Sequence, residues 1–255
     1  MFNLFKKKTP VESCVAVSEK AEKSVSDFIS VTAHQLKTPF TSIKWAIELM
    51  QKGEMGPLTE DQKILLDKMY SSTLHASRLI SEMLNAYRLE SGSSVFDFEL
   101  ADDLADVLKR SIEEIRPLAE NKKIVIETEI SSELPTNLYI DHDKIEDVFQ
   151  ILLENAIKYT NAGGKILVKF ALNKDGAVFS FADSGIGISK ESQVNIFKKF
   201  FRTYRANEKE HDGSGLGLFI AKSIVERHQG QISFQSEENK GSTFFVTLPF
   251  GEKIK

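Results

Sequence analysis

The feature that most constrains this chain is a change in the period of its apolar residues at about residue 92. Over 21–51 they recur three and four apart, at Val25, Phe28, Ile29, Val31, Thr32, Leu36, Phe40, Ile43, Ala46, Ile47 and Met50. That spacing lines one face of an α-helix. The stretch 53–59 (GEMGPLT) breaks it with two glycines and a proline. Helical spacing resumes at Ile64, Leu65, Met69, Leu74, Ile80, Met83, Leu84 and Tyr87 and stops near Ser91-Gly92. Two helices of about 30 residues, each roughly 45 Å long, are expected to pair as an antiparallel hairpin over 21–92. Their apolar stripes are wide, with neighbours such as Phe28/Ile29 and Ile64/Leu65. One hairpin covers only one side of each stripe, so a second copy is expected to complete a dimeric four-helix bundle.

Past residue 92 the alternation has a period of two. Segments 124–130 (IVIETEI), 165–172 (KILVKFAL), 177–181 (AVFSF), 231–235 (QISFQ) and 242–248 (STFFVTL) read as strands. Helical stretches lie between them at 101–120, 141–160, 190–200 and 216–228. A mixed sheet with helices packed on one face, an α+β sandwich, is expected over 95–251, and 1–20 is expected to be a flexible segment.

Composition removes several classes of function. A net charge of −4 gives no basic face for nucleic acid. The lone cysteine, Cys14, excludes a disulfide framework and fits a reducing compartment. No apolar run approaches the roughly 18 residues that span a bilayer. At the start (MFNLFKKK) the apolar residues precede the lysines, the reverse of a secretory signal. The chain is expected to be cytoplasmic, with any membrane-embedded sensor outside this sequence.

Chemistry gathers at three places in the second region. Asp183-Ser184-Gly185-Ile186-Gly187 follows directly on a strand, where a carboxylate can accept a directional hydrogen bond and glycines let backbone approach a flat ligand. The run 212–218 (DGSGLGL) leads into a helix whose first N–H groups suit an anion, with Gly213, Gly215, Leu216 and Gly217 at its start. Upstream, Asn155, Lys158 and Tyr159 fall near one helix face. Each segment alone is a turn as readily as a site. A dinucleotide fingerprint needs glycine where Leu218 stands, and no Walker A pattern occurs.

Their order is specific. The second region resembles the ATP-binding domain of histidine kinases, within the wider group that includes gyrase, Hsp90 and MutL, over about 95–250. Asn155-Ala156-Ile157-Lys158-Tyr159 is similar to its asparagine box, DSGIGI to its first glycine box and Phe197-Lys198-Lys199-Phe200-Phe201-Arg202 to its phenylalanine box. GSGLGL and Gly241-Ser242-Thr243-Phe244 resemble the remaining two. The resemblance implies that Asp183 bonds the adenine amino group while Gly187 gives the ring room. It implies that Asn155 holds Mg²⁺ against the phosphates of ATP, that Lys158 contacts them and that Tyr159 lines the pocket. Arg202 would reach the terminal phosphate, and 203–212 would form a lid hinged on the glycines. The family usually has a second asparagine four residues before Asn155, where this chain has Ile151.

In the first helix, 34–39 (HQLKTP) places a proline inside an apolar-periodic helix, at a cost of roughly 3 kcal/mol. The box resembles the phospho-acceptor box of histidine kinases and makes His34 the expected nucleophile. Neutral imidazole suits that role near pH 7. His75, His142, His211 and His228 read as ordinary surface or core residues. The family usually has Glu or Asp after the acceptor. Gln35 here can fix the ring tautomer but brings no charge for the developing imidazolium, so slowed autophosphorylation is expected. The resemblance implies that Thr38 orients a water for phosphatase action; a helix-bend residue beside Pro39 is the alternative. The expected activity is autophosphorylation of His34, followed by transfer to an aspartate of a response regulator receiver domain. A dimeric ATP-binding scaffold with little autokinase activity is the first rival. A gyrase-like or anti-sigma-type ATPase or serine kinase is the second.

Overall fold

The computed structural model describes Thr32 and residues 35–133, 135, 137–203, 206 and 213–251. The 1–20 segment, the start of the first helix and His34 itself lie outside the described residues. The chain divides into two compact units, Met1–Ser94 and Val95–Lys255.

In the first unit, α1 is helical over 35–51 and α2 spans Glu60–Glu90. Helix α1 runs through Pro39, whose missing N–H leaves a gap in the ladder. Nearby, the Thr41 and Ser42 hydroxyls donate to the Lys37 and Thr38 carbonyls. Helix α2 starts in a capping box: the Thr59 hydroxyl accepts from Gln62 N–H, and the Gln62 side chain accepts from Thr59 N–H. The antiparallel register is set where Tyr70 donates to Glu48 (3.1 Å) and Gln51 donates to Asp67 (2.7 Å). Ile47, Leu66, Thr73 and Ala86 are buried.

The second unit contains β1 (Glu99–Leu100), α3 (Leu104–Asn121), β2 (Val125–Ile130), β3 (Tyr139–Ile140), α4 (His142–Tyr159) and β4 (Lys165–Asn173). It continues with β5 (Gly176–Asp183), α5 (Lys190–Gln193), α6 (Gly217–Arg227), β6 (Gln231–Glu237) and β7 (Gly241–Pro249). The main sheet has the order β2-β4-β5-β7-β6, with β2 parallel to β4 and the other pairs antiparallel. Helices α3, α4 and α6 pack on one face. That face carries Ile166, Val168, Phe170, Phe179, Phe181, Val246 and Leu248, all buried by the period-two alternation. Phe149 of α4 meets Phe179 and Phe181, at 4.8 and 5.9 Å between ring centroids, and Phe170 stacks on Phe179 at 4.8 Å. The opposite face carries the Lys165–Glu127 and Lys169–Glu129 pairs.

One expected helix is much shorter. Over 190–200 only Lys190–Gln193 is helical. The chain then advances by three-residue turns, Asn195 N–H to Ser192 O, Lys198 N–H to Asn195 O and Phe201 N–H to Lys198 O. Phe200 takes a φ of +61°, which no helix tolerates. Ile196 is buried and Phe197 meets Phe234 edge-on, so tertiary packing of these apolar residues overrides the local preference. The small β1–β3 ladder carries no alternation that the sequence could reveal.

Candidate ATP-binding site and phospho-acceptor helix

Helix α4 carries the first group of site residues, and both of its ends are held from outside. At the N-terminus, Asp141 caps it by accepting from Lys144 N–H (3.0 Å), while its other oxygen accepts from Asp97 N–H (2.9 Å). Asp141 N–H donates to Nε2 of buried His228 (3.0 Å), and Nδ1 of that ring lies 2.8 Å from the Ile224 carbonyl. These partners require a neutral ring with its proton on Nδ1. Burial pushes the His228 pKa down, against smaller opposing effects of the Ile224 carbonyl and Asp141. Phe96 and Phe98 meet the ring edge-on. His228 is therefore the packed core histidine that its bland sequence reading allowed.

At the C-terminus, α4 ends in Lys158 and Tyr159, both half-buried, with half-buried Asn155 one turn earlier. Tyr159 O accepts from Ile186 N–H (3.2 Å), which ties α4 to the loop after β5. That loop begins at Asp183, whose Oδ1 accepts from Gly185 N–H (2.8 Å). On its other side, Asn239 N–H donates to Ile186 O (2.8 Å) and Ile188 N–H to the Ser236 hydroxyl (2.8 Å). Two glycines are obligatory here. Gly187 has φ +64°, and a Cβ on it would fall 2.0 Å from Glu237 O. Gly241 has φ +104°, and its Cβ would fall 1.9 Å from Asp183 O. Asp183 is thus fixed at a strand end, with backbone closed around it.

A second corner lies where the glycine-rich loop meets α4. A Cβ on Gly213 would lie 3.2 Å from Lys158 Nζ and 3.2 Å from Arg202 Nε and Cζ. Two cations therefore flank the backbone of that loop. Arg202 donates to Ala206 O (3.2 Å). Gly215 sits against the backbone of Phe200 and Phe201, Leu216 is buried, and Gly217 opens α6. A Cβ on Gly217 would lie 3.2 Å from Ile151 Cγ2, so Ile151 packs on the first turn of α6.

The structure thus brings Tyr159, Asp183, Gly185 and Gly187 together around one loop. It brings Lys158, Arg202 and Gly213 together at the other corner, with Gly215, Leu216 and Gly217 following in the same loop. Asn155 shares a helix with the first group. Gln35 and Thr38 are helical and exposed on α1, in the other unit. His34 and most of 203–212 lie outside the described residues. Among the described residues no helix is long and apolar enough to cross a membrane, and no group of three or more His, Cys, Asp and Glu could hold a metal.

One contributor was missed by sequence reasoning: Lys122, whose ammonium donates to the Ile157 and Lys158 carbonyls. No motif marks it.

Comparison with known proteins matches two families to separate stretches of the chain. Residues 24–92 match the family described as the His Kinase A (phospho-acceptor) domain. Residues 140–252 match the histidine kinase-, DNA gyrase B- and HSP90-like ATPase family. The chain is 28% identical to the circadian input-output histidine kinase CikA of Synechococcus elongatus, over 92% of this chain and 31% of that protein. It is 34% identical to drug sensory protein A of Synechocystis, over 88% and 34%. It is 33% identical to the adaptive-response sensory kinase SasA of a Synechococcus species, over 87% and 58%. The chain spans about a third of the length of the first of these relatives. Among solved structures it is similar to full-length ShkA in complex with AMPPNP, with a TM-score of 0.74 at 25% identity, over 90% of this chain and 47% of that one. With a phospho-acceptor hairpin and a mixed-sheet ATPase fold in one chain, this protein belongs to the sensor histidine kinases of two-component systems.

Proposed function

We propose that this chain is an ATP-dependent protein-histidine kinase working as a homodimer through its helical hairpin. A ring nitrogen of His34 attacks the γ-phosphorus of ATP. The bond from that phosphorus to the β,γ-bridging oxygen breaks, ADP leaves, and the imidazole sheds its proton to solvent. The phosphoryl group then passes to an aspartate of a response regulator receiver domain. Cys14, the lone cysteine, fits the reducing cytoplasm as the place of action.

The observation that carries this reading is the corner where Lys158 and Arg202 flank Gly213. Two cations beside half-buried loop backbone suit the charge of a triphosphate, and positioning with charge neutralisation dominates phosphoryl transfer. Asp183, pinned at the other corner, suits the exocyclic amine of adenine. Tyr159 and Gly187 border the same loop.

For Mg²⁺ the donor set is sparse but sufficient. Asn155 offers one amide oxygen, while Ile151 one turn earlier offers none. Mg²⁺ commonly keeps several waters and is completed by substrate phosphates, so Asn155 would hold it with the nucleotide. It would supply neutralisation of charge on the transferring phosphoryl group. On α1, Thr38 would orient a water against the regulator's phosphoaspartate, giving a phosphatase activity as well.

The test is incubation with γ-labelled ATP. Acid-labile label that disappears in His34→Ala supports the kinase; acid-stable label points to a hydroxyl acceptor and a serine kinase. A dimeric ATP-binding scaffold is the second reading, favoured by Ile151, which packs on Gly217 and gives nothing to a metal. Nucleotide binding without any His34-dependent label would establish it.

A further inference from the structure

The last turn of a helix leaves carbonyls without partners inside the helix. In α4 three such carbonyls accept from other parts of the fold. Tyr159 O accepts from Ile186 N–H, while Ile157 O and Lys158 O both accept from Lys122 Nζ, at 3.2 and 3.3 Å. Lys122 is the residue that ends α3, and it is half-buried. Its own carbonyl accepts from Gly163 N–H (3.1 Å), in the turn that follows α4. Lys122 therefore fastens three things at once: the end of α3, the end of α4 and the turn leading into β4.

An ammonium at a helix C-terminus meets the negative end of the dipole, and charge-assisted bonds to carbonyls exceed neutral ones in strength. Lys158 carries one of the two accepted carbonyls and also reaches the phosphate corner. Its backbone oxygen is held by Lys122, and its ammonium lies beside Gly213 and Arg202.

We infer that Lys122 is a positioning residue for the nucleotide's phosphates: it fixes the last turn of α4 so that the Lys158 ammonium stays at the Gly213–Arg202 corner. The inference rests on the ATP-site reading above. Lys122 touches no substrate and acts only through Lys158.

A double-mutant cycle on the full chain tests it. The affinities of ATP and of adenosine, which lacks phosphates, are measured for wild type, Lys122→Met, Lys158→Met and the double variant. Lys122→Met is expected to weaken ATP about tenfold and adenosine less than about twofold. In the Lys158→Met background, Lys122→Met should cost ATP less than about twofold, because the side chain it positions is gone. Lys122→Arg, which keeps charge and donors, should restore most of the affinity. Lys122→Gln, uncharged but still a donor, carries the test if Lys122→Met unfolds, as judged by thermal denaturation. The inference is overturned if the loss is the same in both backgrounds, the same for ATP and adenosine, or absent. A wild type that binds no ATP, or a Lys158→Met variant that binds it unchanged, overturns the site reading and the inference with it. Additive losses in a wild type that binds ATP through Lys158 overturn the inference alone.

Discussion

The two units bury their apolar residues to very different degrees. In the ATPase unit Phe149, Phe170, Phe179 and Phe181 are all within 2% of complete burial. In the hairpin, Trp45 is 63% exposed, Leu65 58%, Ile64 54% and Met69 45%. One unit closes its own core because a sheet and three helices cover each other. The other is two helices, which cover only the strips where they touch. The hairpin's remaining apolar surface is what the proposed homodimer would cover, whereas the ATPase unit needs no second copy to be complete.

The largest expected effect probes the closed core. Phe179→Ala should destabilise the ATPase unit by about 4 kcal/mol, since it removes a ring packed against two others. Urea unfolding followed by near-ultraviolet circular dichroism would measure this, and a loss under about 1 kcal/mol would contradict such packing.

Next comes the open surface. Replacing Leu65 and Met69 together with aspartate should turn the dimer into a monomer in sedimentation velocity while leaving ATP affinity unchanged. A dimer that survives would mean the bundle closes elsewhere.

A smaller effect is expected at Ile151. Ile151→Asn adds an oxygen one turn before Asn155, so the ratio of ATP affinities with and without Mg²⁺ should rise about fivefold. An unchanged ratio would show that position 151 faces only Gly217. Smaller still, Gln35→Glu should raise the initial rate of His34 labelling about threefold, because a carboxylate stabilises the imidazolium that Gln35 cannot. A rate equal to or below that of wild type would remove Gln35 as the brake.

The mildest effect is one of pH. His228 has a folded pKa below its unfolded value near 6.5, chiefly from burial. The unfolded chain therefore binds more protons as pH drops below about 6.5, so this contribution is full above that pH and is lost on acidification toward the lower folded pKa. The urea midpoint of the ATPase unit should fall over that range and flatten in His228→Gln. The hairpin's own transition should not follow this residue.

Much of this was legible in the residues. The five strands of the main sheet follow their alternation to within a residue or two, and α4 and α6 follow their apolar spacing to within a residue at each end. The 190–200 segment was not legible. Its Val194, Ile196, Phe197 and Phe200 resemble a helical stripe, yet the chain turns at each third residue, with Ile196 buried, Phe197 against Phe234 and Phe200 at a positive φ. Asn155, Lys158, Tyr159, Asp183 and the glycines stood out as chemistry. That Lys158 and Arg202 would flank Gly213 did not, because residues so far apart in sequence meet only through the packing of α6 on α4.

The sequence by itself determined the order of elements, the switch from helical to strand period and the chemical groups on offer, since these depend on local spacing and side-chain type. Only the tertiary structure decided which ends meet. Lys122 reaches the carbonyls of Ile157 and Lys158 because the turn after α3 lies against the turn after α4. Ile151 meets Gly217 because α4 and α6 share one face of the sheet. Contacts of this kind are set by how whole elements pack, and no run of neighbouring residues encodes them.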